Sequence, residues 1–111
     1  MNIVVMAKGA GLGAWVDDDF AHAHQIVYVP ARGGFDALGN PFLPDSSEIE
    51  EVSEALAEFV ISKFPDAEAI IAGSFNQKTR EYFESHNVAV FTELSGSVLE
   101  LVEKIRAGAQ A

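Results

Sequence analysis

The sequence predicts an α/β fold: a mixed β-sheet of about five strands flanked by three helices. Three observations predict it. Apolar residues make up 49% of the 111 residues and charged residues 22%, the balance of a chain that buries a core. In the second half, short β-branched runs alternate with stretches whose apolar residues recur every three or four positions. That alternation calls for parallel strands joined by right-handed helical crossovers. The first half holds strand-like runs with no helical stripe between them, so its strands pair antiparallel, as a hairpin or meander. The length fits one domain, residues 1–111.

Each element has a local reason. Asn2 to Ala7 is apolar and β-branched and runs into Lys8-Gly9-Ala10-Gly11-Leu12-Gly13, so it reads as a buried strand closed by a glycine turn. His24 to Pro30 is a second strand, stopped by a proline that cannot donate to a ladder. Gly33 to Phe42 is apolar at Phe35, Leu38 and Phe42 but punctuated by glycine and proline, and reads as a weak edge strand. Ser47 to Phe64 is a helix: Ser47 and Glu50 form a capping box, and Ile49, Val52, Leu56, Phe59 and Val60 make one stripe ended by Pro65. Ala69 to Ala72 is a short buried strand. Gln77 to Ser85 is a helix with Tyr82 and Phe83 inward, and Val88 to Phe91 is the last strand. Ser97 to Ala107 is the last helix, capped by Ser97 and Glu100, striped by Val98, Leu101, Val102 and Ile105, and stopped by Gly108.

Composition excludes several function classes. There is no cysteine, hence no disulfide, thiolate-held metal or cysteine nucleophile. Seven basic against seventeen acidic residues give a net charge of −10, and eight of the acids lie between Asp45 and Glu68 against Lys63 alone. Such a surface argues against binding nucleic acid or an anionic membrane, both of which rest on clustered cations. No apolar run approaches the about 18 residues of a membrane span. Met1-Asn2 leads straight into a strand with no basic leader, so a cytoplasmic protein without signal peptide is expected.

Three segments carry a resemblance: Val16 to Phe20 with Ala21-His22-Ala23-His24 leading into Ile26-Val27-Tyr28; Asn40-Pro41-Phe42; and Ile70-Ile71-Ala72-Gly73-Ser74-Phe75-Asn76, a helix, then Asn87-Val88-Ala89-Val90-Phe91. In this order, over nearly the whole chain, they resemble the dinitrogenase iron–molybdenum cofactor biosynthesis family, meaning NifX- and NafY-like domains and the C-terminal part of NifB. The resemblance implies a ribonuclease H-like fold and binding of a metal–sulfur cluster of Fe–Mo or Mo–Cu type. Asparagine stands at positions 76 and 87 where the family has glycine, and asparagine is the residue that best keeps a left-handed backbone. Ala21 and His22 replace a family Gly-Arg, and Leu43-Pro44-Asp45-Ser46 replaces a loop that often carries glycine and histidine in the family.

Ligands of open sheets bind outside the carboxyl ends of parallel strands. If the first strand neighbours the Ala69 strand, Lys8, Gly9 and Gly11 share a rim with Gly73, Ser74 and Asn76. The second loop opens a helix whose backbone donors suit an anion. Lys78 and Arg80 lie near its first turn, where the dipole disfavours cations, so they either hold an anion or are plain solvated cations. His22 and His24, two apart, share a face on an extended backbone and with Asp17-Asp18-Asp19 form either a borderline-hard metal site or an unliganded pair. His86 is a favourable charge at a helix end. Gly9, Gly11 and Gly13 are not a dinucleotide fingerprint, since the third glycine comes one place early and no helical stripe follows. Three adjacent aspartates do not make a two-metal nuclease either, which draws carboxylates from separate elements. Trp15 is a loop anchor over the sheet end or a pocket wall.

The expected function is a non-catalytic carrier or accessory protein for an anionic metal–sulfur cluster, gripped by Lys8, Gly73 to Asn76, Lys78, Arg80 and His22. Its partners are the cluster and its donor or acceptor proteins, and the chain is a monomer or weak homodimer. The alternative is a metal-free interaction or regulatory module of the same fold; a hydrolase using the aspartates comes third. The carrier reading needs the two loops close together with no carboxylates lining the space between them.

Overall fold

The computed structural model describes residues 1–42 and 49–110. Its elements are β1 (Ile3–Ala7), β2 (Gln25–Val29), β3 (Asp36–Gly39), α1 (Ile49–Lys63), β4 (Ala69–Ile71), α2 (Gln77–Ser85), β5 (Ala89–Phe91) and α3 (Val98–Gln110). The strands form one mixed sheet in the order β3-β2-β1-β4-β5. β1 pairs antiparallel with β2 and β2 with β3, whereas β1–β4 and β4–β5 are parallel. The meander and the crossovers therefore fall where the patterning places them.

β1 is central and apolar at every position because both of its faces are covered. Val4, Met6, Ile26, Tyr28 and Ile70 pack with Leu56, Val60 and Phe83, the inward residues of α1 and α2. Ile3, Val5, Val27, Val29 and Ile71 pack on the other side with Val98, Leu101, Val102 and Ile105 of α3. Two helices cover one face and one covers the other. Among the described residues no helix is long and apolar enough to cross a membrane.

Some boundaries differ from the sequence expectations. The Ser47–Glu50 capping box and the Leu43–Ser46 loop fall on or against residues outside those described. The edge strand shrinks from 33–42 to β3, since Gly33 and Gly34 take positive φ in the preceding turn. α3 runs through Gly108 to Gln110, so Gly108 is no stop: a mid-helix glycine costs only about 1 kcal/mol and does not by itself end a packed helix. Asn87 is left-handed at φ 61°, as expected, but Asn76 is extended and caps α2 by accepting from the Thr79 amide.

Tyr28 lies on the α1 face, stacked on Phe64 with ring centroids 4.4 Å apart, and donates to Asp66 Oδ1 at 2.8 Å. Burial raises its pKa above 10.0, and the hydrogen bond and negative charge of Asp66 raise it further. The neutral phenol is favoured in the fold. Its stabilisation is therefore complete below pH 10 and lost as pH rises through the folded value. The thermal midpoint should fall on alkaline titration above pH 10, and Tyr28→Phe should flatten part of that fall. Tyr82, raised by burial and then by Glu58, keeps the remainder. An alkaline profile identical in Tyr28→Phe would show that Tyr28 carries none of it.

Candidate functional site

The carboxyl ends of β1, β4 and β5 open on one rim, and the connection from β1 to β2 crosses it. Residues 8–16 fold back as a hairpin: the Lys8 amide donates to the Trp15 carbonyl at 2.9 Å, and Ala7 bridges Val16. The glycines Gly9 and Gly11 lie in this turn. Its carbonyls cap α3, since the amides of Val98 and Leu99 donate to Ala14 at 2.8 Å and Leu12 at 3.0 Å. The glycine turn thus offers oxygens to a helix start.

Residues 17–24 then run across the sheet end. The Gly73 amide donates to the Asp17 carbonyl at 2.8 Å, and the Gly73 carbonyl accepts from the Glu93 amide and the Thr92 hydroxyl. The Ser74 hydroxyl lies 2.8 Å from the Asp18 carbonyl and 3.3 Å from Asp19 Oδ1. Gly73 has a definite steric reason to be glycine. A Cβ there would stand 2.6 Å from the Asp18 carbonyl oxygen and 2.8 Å from Asp18 Cα. Lys8 Nζ reaches Asp18 Oδ2 at 3.9 Å, an exposed pair worth little energetically.

The two loops do share the rim, as β1–β4 pairing requires, but Asp17, Asp18 and Asp19 lie between them. The Gly73 amide and the Ser74 hydroxyl donate to that segment, and Asn76 Oδ1 accepts the capping bond from the Thr79 amide. Lys78 lines a cleft of about 340 Å³ with Glu51, Glu54, Gln77 and Thr79, between α1 and α2. Arg80 is exposed on α2. The sequence-expected set is therefore not one constellation: Lys8, Gly73 and Ser74 meet around the aspartates, while Lys78 belongs to the helix cleft.

The histidines are better organised. His22 Nδ1 lies 2.5 Å from Asp19 Oδ2, and His24 Nδ1 lies 3.2 Å from Asp17 Oδ2. An ionised carboxylate only accepts, so each Nδ1 carries a proton, and in the neutral imidazole the lone pair is then on Nε2. Both side chains are exposed and alternate with buried Ala21 and Ala23. This is the arrangement that fixes a metal-binding imidazole in one tautomer and orientation. Among the described residues, however, no three or more His, Asp or Glu side chains converge as a bare metal ion would need.

Asn40 holds this segment. Its Nδ2 donates to the Ala21 carbonyl at 3.2 Å and the Ala23 carbonyl at 2.9 Å, clamping the backbone on both sides of His22, while its Oδ1 accepts from the Phe42 amide. Phe20, at the start, is buried, stacked on Phe75 and edge-on to Phe83. Asp17, 8% exposed, also accepts from the Asp18 and His24 amides. Asn40 is absent from the expected site set, signalled only by its Asn-Pro pair, and Asp17 and Asp19 entered as neighbours of the candidate histidine metal site rather than as braces of the imidazoles. His86 caps α2, its Nδ1 2.8 Å from the Tyr82 carbonyl. Trp15 is 51% exposed, so it does not anchor the loop by packing under it.

No family model and no curated protein matches the chain. Solved structures do. The orange protein from Desulfovibrio gigas, in its apo form, superposes with a TM-score of 0.77 at 22% identity over 96% of this chain and 88% of its own. A NifB-like protein from Thermotoga (TM1290), of the DUF35 family, gives 0.73 at 20% identity over 96% and 88%. The protein PH0822 gives 0.74 at 18% over 97% and 92%. At these identities the likeness is one of fold.

Proposed function

We propose that this chain is a non-catalytic accessory protein that receives and passes on an anionic metal–sulfur cluster, of Fe–Mo or Mo–Cu type, or its precursor. The observation that carries this reading is the pair His22 and His24, each braced through Nδ1 by an aspartate and each with an exposed side chain. Likeness of fold to a NifB-like protein and to a protein studied in an apo form supports it. The cluster is cargo and brings its own sulfur ligands; the chain, without cysteine, adds two imidazoles and the Lys8 cation. The pocket between the glycine loops that the sequence suggested fails its own condition, because Asp17 to Asp19 line it and take up the Gly73 amide and the Ser74 hydroxyl; this version rests on the histidines instead. Three neighbouring aspartates oppose an anion, so binding is weak and exchangeable.

The occupied donors favour a second reading, a metal-free interaction module. One titration separates the two. Tetrathiomolybdate, with and without copper or iron, is added while visible absorption and backbone amide shifts are followed. Carriage gives colour and shifts at 20–25, weakened about tenfold or more in His22→Ala and in His24→Ala, and weakened also in Asp19→Asn. Absorption no different from that of free tetrathiomolybdate, with no amide shift in the unsubstituted protein, would leave the module reading, and protein-retained colour that survives the double alanine variant would overturn the histidine site.

A further inference from the structure

We infer that the surface formed by Leu12, Trp15 and Leu99 docks a protein partner whose contact surface is basic around an apolar pocket. Trp15 and Leu99, 51% and 44% exposed, are two of the three exposed large apolar side chains among the described residues. Their backbones are tied together because the hairpin caps α3: Trp15 bridges Ser97, and the Leu99 amide donates to the Leu12 carbonyl. Those backbone bonds hold the patch in place before any partner arrives, which lowers the ordering cost of association. A tryptophan beside a leucine on such a support is the composition of an interface anchor.

Charge selects the occupant. The exposed acids Glu100 and Glu103 follow Leu99 on α3, and exposed Glu93 and Asp18 flank the hairpin. Lys8, the cation at the base of the hairpin, faces Asp18. In a chain of net charge −10, an acid-bordered patch repels its own copy and attracts a cationic surface. The patch adjoins the rim that carries His22 and His24 through the continuous segment 15–24. The inference rests on the proposed function only for what such a partner would exchange; the docking itself needs no cluster.

The test uses the metal-free protein and an amphipathic leucine–lysine helical peptide as probe, with a leucine–glutamate peptide of equal length as control. Trp15 is the sole tryptophan, so its emission reports the patch directly. The lysine peptide should shift that emission to the blue and move amide signals over 12–16 and 97–100. Added salt should weaken the effect, and Leu99→Asn should reduce affinity about tenfold. Unchanged emission, equal response to the glutamate peptide, shifts confined to Glu51, Glu54 and Glu58 of α1, or unchanged affinity in Leu99→Asn would each overturn the assignment. Concentration-dependent self-association of the protein alone, abolished by Leu99→Asn, would assign the patch to a second copy instead. Because no cluster is present, the outcome is independent of the tetrathiomolybdate titration.

Discussion

Gly73→Ala should destabilise the protein by about 3 kcal/mol, which for a domain of this size lowers the thermal midpoint by roughly 10–20 °C. The methyl group would meet three backbone atoms of one crossing segment: the Asp18 carbonyl oxygen at 2.6 Å, Asp18 Cα at 2.8 Å and the Asp17 carbonyl oxygen at 2.9 Å. No side-chain rotation relieves such contacts, so either β4 or the 17–19 segment must move. Movement would break the Gly73–Asp17 and Phe20–Ser74 backbone bonds together. Gly11→Ala is the internal control, since nothing lies within 4 Å of the added carbon, and it should be close to neutral. Equal midpoints for the two variants, measured by circular dichroism, would mean that the segment does not press on β4 as described.

Phe20→Ala should cost about 4 kcal/mol, a large part of the stability of a small domain. Phe20 is 1% exposed and fills the space between Phe75 and Phe83, at centroid distances of 5.3 and 5.5 Å. Its loss opens a cavity at the point where the histidine segment is rooted in the core. The amide signals of His22 and His24 should therefore broaden well before the sheet unfolds, while those of β1 stay sharp. Phe20→Leu, which keeps most of the volume, should lose far less. A Phe20→Ala variant with native midpoint and sharp histidine signals would place the root of the segment elsewhere.

The elements were legible because their causes are local. α2 spans 77–85 as its pattern implies: Asn76 caps one end, and Asn87 follows the other in the left-handed conformation. Parallel pairing in the second half followed from chain connectivity, whereas β1 beside β4 was only the condition on which the rim reading stood. The site was less legible, because its partners are distant in sequence. Asn40 acts on carbonyls nineteen and seventeen residues away, and the Ser74 hydroxyl reaches a carbonyl fifty-six residues away. A glycine at position 73 fits an anion cradle or a tight chain crossing equally well. Nothing in the flanking residues reveals that Asp17 and Asp18 cross there. The histidine pair was visible, but not its bracing, since Asp17 reaches across seven residues to His24 through a turn.

The clamp of Asn40 on both sides of His22 has a kinetic corollary. With the main chain fixed at Ala21 and Ala23, the imidazoles stay in place whether or not anything is attached to them. On the proposed function, departure of a cluster would require only that outside ligands replace the two imidazole nitrogens. No hinge opens and no strand detaches, so off-rates track the strength and abundance of the incoming acceptor.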